Sequence, residues 1–383
     1  MEYLATAESV TEGHPDKICD QISDGILDAC LEQDPFARVA AETMVSGNTV
    51  FIAGEITSSA LLSIEATARR VIRDIGYIRP ELGFDADTCF IVTSVHAQSP
   101  DIARGVSRGE VTGAGDQGVF YGYACDETPS LMPCPAFQAH ALARRLTSAR
   151  KSGALPWLRP DGKTQVTVRY GSDGRPAGLV SIVVAAQHDP DISQETLARG
   201  IAEQVIIPVL PATWLAPDTR ILVNPTGRFV EGGPAADTGL TGRKIMVDTY
   251  GGCARHGGGA FSGKDATKVD RTAAYMARYI AKNVVAAGLA AQCEVAMAFA
   301  IGRPLPEMLT VTTFGTEKAE IRAIRDAVKR SFPLSVAGMI ARLDLRRPVF
   351  RQTAAYGHFG REEPLFAWER TDTAETLRSQ CLA

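Results

Sequence analysis

The sequence reads as an α/β chain of three successive units, each mixing strands with helix. Two observations lead there. At 383 residues the chain exceeds what one hydrophobic core usually supports. In each third of it the apolar spacing also switches between the strand and the helix period. No internal repeat is strong enough to signal duplication.

From Pro15, Ile18, Ile22, Ile26 and Ala29 recur at helical spacing, with Asp20, Asp24 and Asp28 on the opposite side. This predicts an amphipathic helix, with Pro at its first position and Asp16 in its first turn. Strand-like runs 38–45 and 49–56 follow across Ser46-Gly47-Asn48. Leu61, Ile64, Ala68, Val71 and Ile75 then give a helix that stops before Gly76, and 89–95 gives a strand. Between Gln98 and Gly118 periodicity lapses in a glycine-rich stretch, the mark of a functional loop and a candidate lid.

The next third supplies a helix near 138–151, strands at 164–170 and 179–186, and a helix near 194–206. The last holds a strand at 220–223, a short apolar run Ile245-Met246-Val247, a helix over 269–287, strands near 294–300 and 308–313, and helices around 319–330 and 336–343. The expected division is 1–100, 112–230 and 231–383, with 98–118 as a mobile loop between the first two.

A composition of 45% hydrophobic and 22% charged residues is that of a globular protein, not a disordered one. The net charge of −4 gives no basic field for nucleic acid, so an anion site must be built locally. The first residues lack the basic and apolar regions of a signal peptide, and 284–291 is too short to span a bilayer, so a cytoplasmic protein without membrane partners is expected. Eight scattered cysteines with no Cys-x-x-Cys pair read as free thiols.

Three glycine motifs mislead. Gly113-Ala114-Gly115-Asp116-Gln117-Gly118 matches the dinucleotide fingerprint, but a loop precedes it and a strand follows, the reverse of what that fingerprint requires. Gly258 to Lys264 nearly spells a phosphate-binding loop, yet Asp265 stands where magnesium needs a hydroxyl. His256-Gly257-Gly258-Gly259 imitates an esterase oxyanion motif, but the chain has no Gly-x-Ser-x-Gly nucleophile elbow.

What survives is a pattern of cations beside glycines and acids: Asp161-Gly162-Lys163, Thr241-Gly242-Arg243-Lys244, and Ser262-Gly263-Lys264-Asp265 with Lys268. Asp16, Glu42, Asp237 and Asp270 add carboxylates. Singly, each suits a solvated turn. Together they suit a polyphosphate held by cations and metal ions, because glycines let backbone approach a ligand.

Gly13-His14-Pro15-Asp16-Lys17, the 113–118 segment and Gly257 to Asp265, in that order, resemble the signature segments of S-adenosylmethionine synthetases. Leu155 to Asp161 and Asn224 to Phe229 are similar as well, and the resemblance runs from about Ala7 to Arg370. It implies three similar α/β domains (α+β type) in a pseudo-threefold arrangement. It also implies synthesis of S-adenosyl-L-methionine from ATP and L-methionine with hydrolysis of tripolyphosphate, two Mg2+ and K+ per site, and a homodimer with shared sites, assembled further into a tetramer as a dimer of dimers.

Carried over by position, the resemblance implies that His14, Asp161, Gly162, Lys163, Arg228, Phe229, Asp237, Arg243, Lys244, Ala260 and Lys264 bind ATP. Glu55, Gln98, Asp237 and Lys268 would hold methionine. Asp16 and Asp270 would meet magnesium, and Glu42 potassium. His14, Asp116, Lys163, Arg243 and Lys264 would act in catalysis, Asp116 near the reacting carbon and sulfur. His14 also suits a helix cap, and Phe229 plain core packing. His14, Glu55 and Gln98 of one subunit are expected to face Arg243, Lys244 and Lys264 of the other.

Overall fold

A computed structural model describes residues 2–98, 107–108 and 111–382. Residues 99–106 and 109–110 of the expected lid lie outside them. The first elements are β1 (Tyr3–Val10), α1 (Pro15–Leu31), β2 (Arg38–Ser46), β3 (Thr49–Thr57), α2 (Ile64–Ile75) and β4 (Phe90–His96). Next come β5 (Gly118–Cys125), α3 (Cys134–Lys151), β6 (Leu158–Tyr170), β7 (Pro176–His188), α4 (Gln194–Ile201) and β8 (Arg220–Val223). The chain continues through β9 (Gly239–Leu240), α5 (Val269–Ala286), β10 (Gln292–Phe299), β11 (Met308–Thr312), α6 (Ile321–Ser331), α7 (Val336–Arg342) and α8 (Ala374–Cys381).

These strands form three sheets, ordered β9-β2-β3-β4, β1-β6-β7-β8 and β11-β10-β5. The first two repeat one pattern across the sheet: an antiparallel pair, a second antiparallel pair, then a parallel pair. Each sheet takes one edge strand from elsewhere in the sequence. β1 joins the central sheet, β5 the C-terminal sheet and β9 the N-terminal sheet. This exchange closes a cycle, so the three similar α/β domains are locked in a pseudo-threefold ring.

A long helix backs each sheet: α1 on β2 and β9, α3 on β6 and β1, α5 on β5 and β10. Ile18, Ile22 and Ile26 of α1 share one core with Ala273, Tyr275 and Ile280 of α5. The central sheet has its own core around Leu142, Val166, Ile182 and Ile201. At Gly122 strand meets helix so closely that an added Cβ would lie 2.0 Å from the Ala277 carbonyl carbon.

The sequence pattern places α1, α2, α3, α5 and most strands within a few residues of where they occur. It misses β1, whose alternation is weak and whose pairing comes from β6, with Tyr3 stacked on Tyr170 at 4.7 Å. It also misses α8. Leu61 does not belong to α2, which starts at Ile64 with Ser63 as its cap; Leu61 is 90% exposed. Ile245–Asp248 is a single helical turn.

The larger difference concerns α1. Its acidic side does not face water: Asp20 and Asp24 are fully buried, because C-terminal segments pack over that side. Among the described residues all eight cysteines are free, and no helix is long and apolar enough to cross a membrane.

Arg278 ties the C-terminal segment to the core. Its guanidinium donates to both oxygens of buried Glu369 at 3.1 and 3.0 Å and to the carbonyls of Tyr123, Ser130 and Leu131 at 2.8–2.9 Å. Arg278→Met leaves buried Glu369 with only Lys282 and the Gly360 N–H and takes this donor from three carbonyls, so the unfolding free energy should fall by about 3 kcal/mol. Urea denaturation checks this; a loss under about 1 kcal/mol contradicts it.

Candidate active site

Helix α1 begins at the first cluster. His14 is its N-cap (φ −63°, ψ 137°), and its Nδ1 accepts the Asp16 N–H at 3.2 Å. The neutral ring therefore carries its proton on Nε2. Burial, then Lys244 and Lys163, lower its pKa to about 3, so the ring stays neutral near neutral pH. Gly13 lies against Pro160, where an added Cβ would sit 2.4 Å from that residue, and β1 pairs Val10 with Lys163. This brings Asp161-Gly162-Lys163 beside His14.

The Asp16 carboxylate lies 2.6 Å from Lys244 Nζ through one oxygen. The other accepts the Leu240 N–H at 3.0 Å and lies 3.7 Å from Arg243 Nε. Burial pushes this carboxyl up, but Lys244 and the Leu240 amide outweigh it and hold it below the usual range. Lys244 thus meets Asp16 within one chain. The expected split, with His14 in one subunit and Arg243 and Lys244 in the other, is corrected: all three converge at the start of α1.

The edge of β2 explains why both later cation loops come here. Thr241 donates its N–H to Thr43 O at 2.9 Å, Ala41 donates to Gly263 O at 3.0 Å, and Asp265 donates to Val39 O at 3.0 Å. The segments around Arg243 and Lys264 therefore dock one after the other along a single strand edge. An added Cβ on Gly242 would lie 2.5 Å from Ala260 Cβ, so the loops also touch.

A second cluster gathers at the start of α5. Lys264 Nζ lies 2.9 Å from Asp270 Oδ2, and Lys268 pairs with buried Asp265. Gly115 donates its N–H to Thr267 O at 3.2 Å, which brings exposed Asp116 beside this turn. Asp16 and Asp24, which anchor the two cation loops, are eight residues apart on α1, about 12 Å at helical rise.

Beside the first cluster, Asp161 is buried. Its Oδ2 accepts the Gly233 N–H at 2.8 Å, while its Oδ1 has no hydrogen-bond partner. Burial raises this carboxyl to about 6 against the pull of the Gly233 amide and Lys163. Asp237 is exposed and donates its N–H to Gly233 O at 3.1 Å. Phe229 is half-buried, not core, and is fixed by its N–H to His188 Nε2 at 3.1 Å; Arg228 next to it is exposed.

Glu42 and Glu55 belong to the N-terminal sheet, and Gln98 lies just past the end of its strand β4. Glu42 and Glu55 point to the face away from α1, Glu55 lying 3.3 Å from His96 Nε2. Gln98 donates its N–H to Thr57 Oγ1 at 3.0 Å. A cavity of about 450 Å³ lined by Phe137, His140, Arg144 and Phe359 has none of the expected site residues in its wall.

Among the described residues no three His, Cys, Asp or Glu side chains gather as a metal cage. The donors instead fit an ion that takes one carboxylate and completes its shell with phosphate oxygens and water, the habit of Mg2+ at nucleotide sites. Asp16 and Asp270 each offer such a carboxylate, currently neutralised by a lysine. Glu42 offers one more on the exposed sheet face.

The sequence patterns passed over several buried charges that set this geometry. Lys17 lies 2.9 Å from Asp20 and pairs with Asp248; Asp24 meets Arg271 at 2.8 Å. The signal was present, since Asp16, Asp20, Asp24 and Asp28 are spaced one helical turn apart.

Three family models match in order: the N-terminal domain of S-adenosylmethionine synthetase over residues 2–100, the central domain over 111–229 and the C-terminal domain over 231–370. The chain is 69% identical over 379 residues to S-adenosylmethionine synthase 1 of Rhodospirillum rubrum, with 99% of each chain covered. It is 66% identical over 380 residues to S-adenosylmethionine synthase 1 of Rhodopseudomonas palustris, again with 99% of each covered. To S-adenosylmethionine synthase of Desulforudis audaxviator it is 56% identical over 389 residues, with 99% of this chain and 98% of the relative covered. The chain belongs to the S-adenosylmethionine synthetase family.

Proposed function

We propose that this protein makes S-adenosyl-L-methionine from ATP and L-methionine, the sulfur attacking C5′ of ATP, and then hydrolyses the bound tripolyphosphate to pyrophosphate and phosphate. The observation that supports this best is the convergence of His14, Arg243 and Lys244 on Asp16, with Lys163 beside His14 and the unpartnered Asp161 oxygen next to them.

The thioether of methionine carries no proton, so its attack needs no general base. The demand lies on the leaving group, which gathers negative charge. His14 Nε2–H, Lys163, Arg243, Lys244 and Lys264 meet that charge from fixed positions, each such donor contributing about 2.7–4 kcal/mol. His14 does so as a neutral donor. Asp116 and Asp237 balance the sulfonium. Phe229 packs on adenine, Asp161 Oδ1 accepts a nucleoside hydrogen, and Glu55, Gln98 and Lys268 hold the methionine end. Asp16 and Asp270 would hold Mg2+ and Glu42 would hold K+; bound Mg2+ neutralises the triphosphate and orients it.

A second copy completes the site in this reading. Met44, Phe51 and Val92 form a row across β2, β3 and β4 and are 39%, 45% and 47% exposed. Phe90, Glu42 and Glu55 share that face. A two-fold pairing of such faces covers the apolar row and sets the His14 cluster of one chain opposite the Lys264 cluster of the other. A dimer of these dimers in the cytoplasm is the corresponding assembly.

With ATP, methionine, Mg2+ and K+, the products should be S-adenosylmethionine, pyrophosphate and phosphate in equal amounts by mass spectrometry. ADP or AMP as the main nucleotide product refutes the reading.

Mixing His14→Asn with Lys264→Ala, each about 10²–10³-fold down alone, should restore roughly a quarter of wild-type activity, because half the dimers are mixed and each mixed dimer has one intact site. If native mass spectrometry shows exchange and no activity returns, each chain carries a complete site.

Asp161 supplies a pH signature. Its raised carboxyl is protonated below about 6; because Oδ2 accepts the Gly233 N–H, the proton falls on Oδ1 and makes it a donor, so KM for ATP should rise as pH falls through that value. Asp161→Asn should lose this component while keeping that from the titration of the nucleotide itself. Identical profiles for the two enzymes would exclude the role.

A further inference from the structure

Four carboxylates on one face of α1 accept backbone N–H groups from three later segments of the chain. Asp16 takes Leu240, Asp20 takes Gly242 at 2.9 Å, Asp24 takes Gly263 at 2.8 Å, and Asp28 takes Phe350 and Arg351 at 3.0 and 2.9 Å. The rung at Asp24 carries more than the others. Arg271 Nη2 lies 2.9 and 2.8 Å from its two oxygens, and Arg271 Nη1 donates to Lys264 O at 2.9 Å. Asp24 and Arg271 are both fully buried, and the guanidinium lies 4.4 Å over the Phe350 ring.

This pair therefore grips the chain on both sides of the peptide bond that joins Gly263 to Lys264. Asp24 holds the Gly263 N–H, Arg271 holds the Lys264 carbonyl, and Ala41 holds the Gly263 carbonyl. Gly263 sits at φ +81°, and an added Cβ would lie 1.9 Å from Ala41 O, so the turn has one geometry. We propose that Asp24 and Arg271 are positioning residues that aim the Lys264 ammonium at the reacting phosphate chain. Neither is read as touching substrate. The inference rests on Lys264 serving as a leaving-group cation.

The alternative is that the pair only stabilises the fold, and a kinetic double-mutant cycle in the full-length enzyme separates the two. Arg271→Lys keeps the charge but cannot span Asp24 and the Lys264 carbonyl together. In the wild-type background it should lower kcat on the order of 10²-fold, with KM for ATP changed far less, as expected when a reacting group is misplaced by about 1 Å. In the Lys264→Ala background it should cost little more, because the group it positions is gone. Asp24→Asn, of equal shape, carries the same cycle if Arg271→Lys does not fold. Lys282→Met is the control: it breaks a buried ion pair with Glu369 at the far end of α5, away from the cation loops, so it should lower Tm without lowering kcat.

Equal kcat losses from Arg271→Lys with and without Lys264 overturn the proposal, as does a Lys282→Met enzyme with the kcat defect of Asp24→Asn. Full activity in Lys264→Ala would instead refute the role given to Lys264 itself.

Discussion

The structure depends on one helix being buried with its charges. Removing Asp20 and Asp24 from water costs several kcal/mol each unless every oxygen is answered. Most of the answers come from far along the chain: the Gly242 amide, beside neighbouring Lys17, for Asp20, and Arg271 and the Gly263 amide for Asp24. Lys17 is itself shared with Asp248, and these acids outweigh burial and raise its pKa. Folding of the C-terminal segments onto α1 and satisfaction of α1 are thus one event. The loops that satisfy it carry Arg243, Lys244 and Lys264.

The cyclic strand exchange makes that event possible. β9 reaches back to the edge of β2, and the 263–265 segment occupies the rest of that edge, so two glycine-containing loops are laid in register beside α1. β1 likewise runs along β6 and brings Lys163 level with the residues just before His14. A cation from each of two distant segments arrives at the start of one helix without a long loop to carry it.

Much of this was legible beforehand, and the failures share a cause. Periodicity reports which residues share a face, so the bounds of α1 and α5 were readable. It does not report what medium that face meets, so the aspartates of α1 passed for a solvated side. β1 offered too little alternation to stand out, because its stability resides in its pairing with β6. Among site residues, the glycine–cation pattern singled out Lys163, Arg243, Lys244 and Lys264. Which of them share a cluster depends on strand exchange, which no local pattern encodes; hence the misplaced division between His14 and Lys244. Asp24 reads only as one residue on the polar side of a helix and Arg271 draws no notice, because a charge on a helix is ordinarily a surface charge.

His14 shows why a structural and a functional reading of one residue need not compete. The capping reading is correct, since Nδ1 accepts the Asp16 amide. That same bond puts the ring proton on Nε2 and fixes where it points, while burial and two lysines keep the ring neutral. A cap that merely ended the backbone ladder could be Ser or Asn. Imidazole does the same with one nitrogen and leaves a second, oriented as a donor, beside three cations. The proline that follows begins the helix at once, so Asp16 falls in its first turn, where the helix dipole favours an acid. Three adjacent residues thus start a helix and, in the same geometry, set a neutral donor and a carboxylate beside Lys163, Arg243 and Lys244.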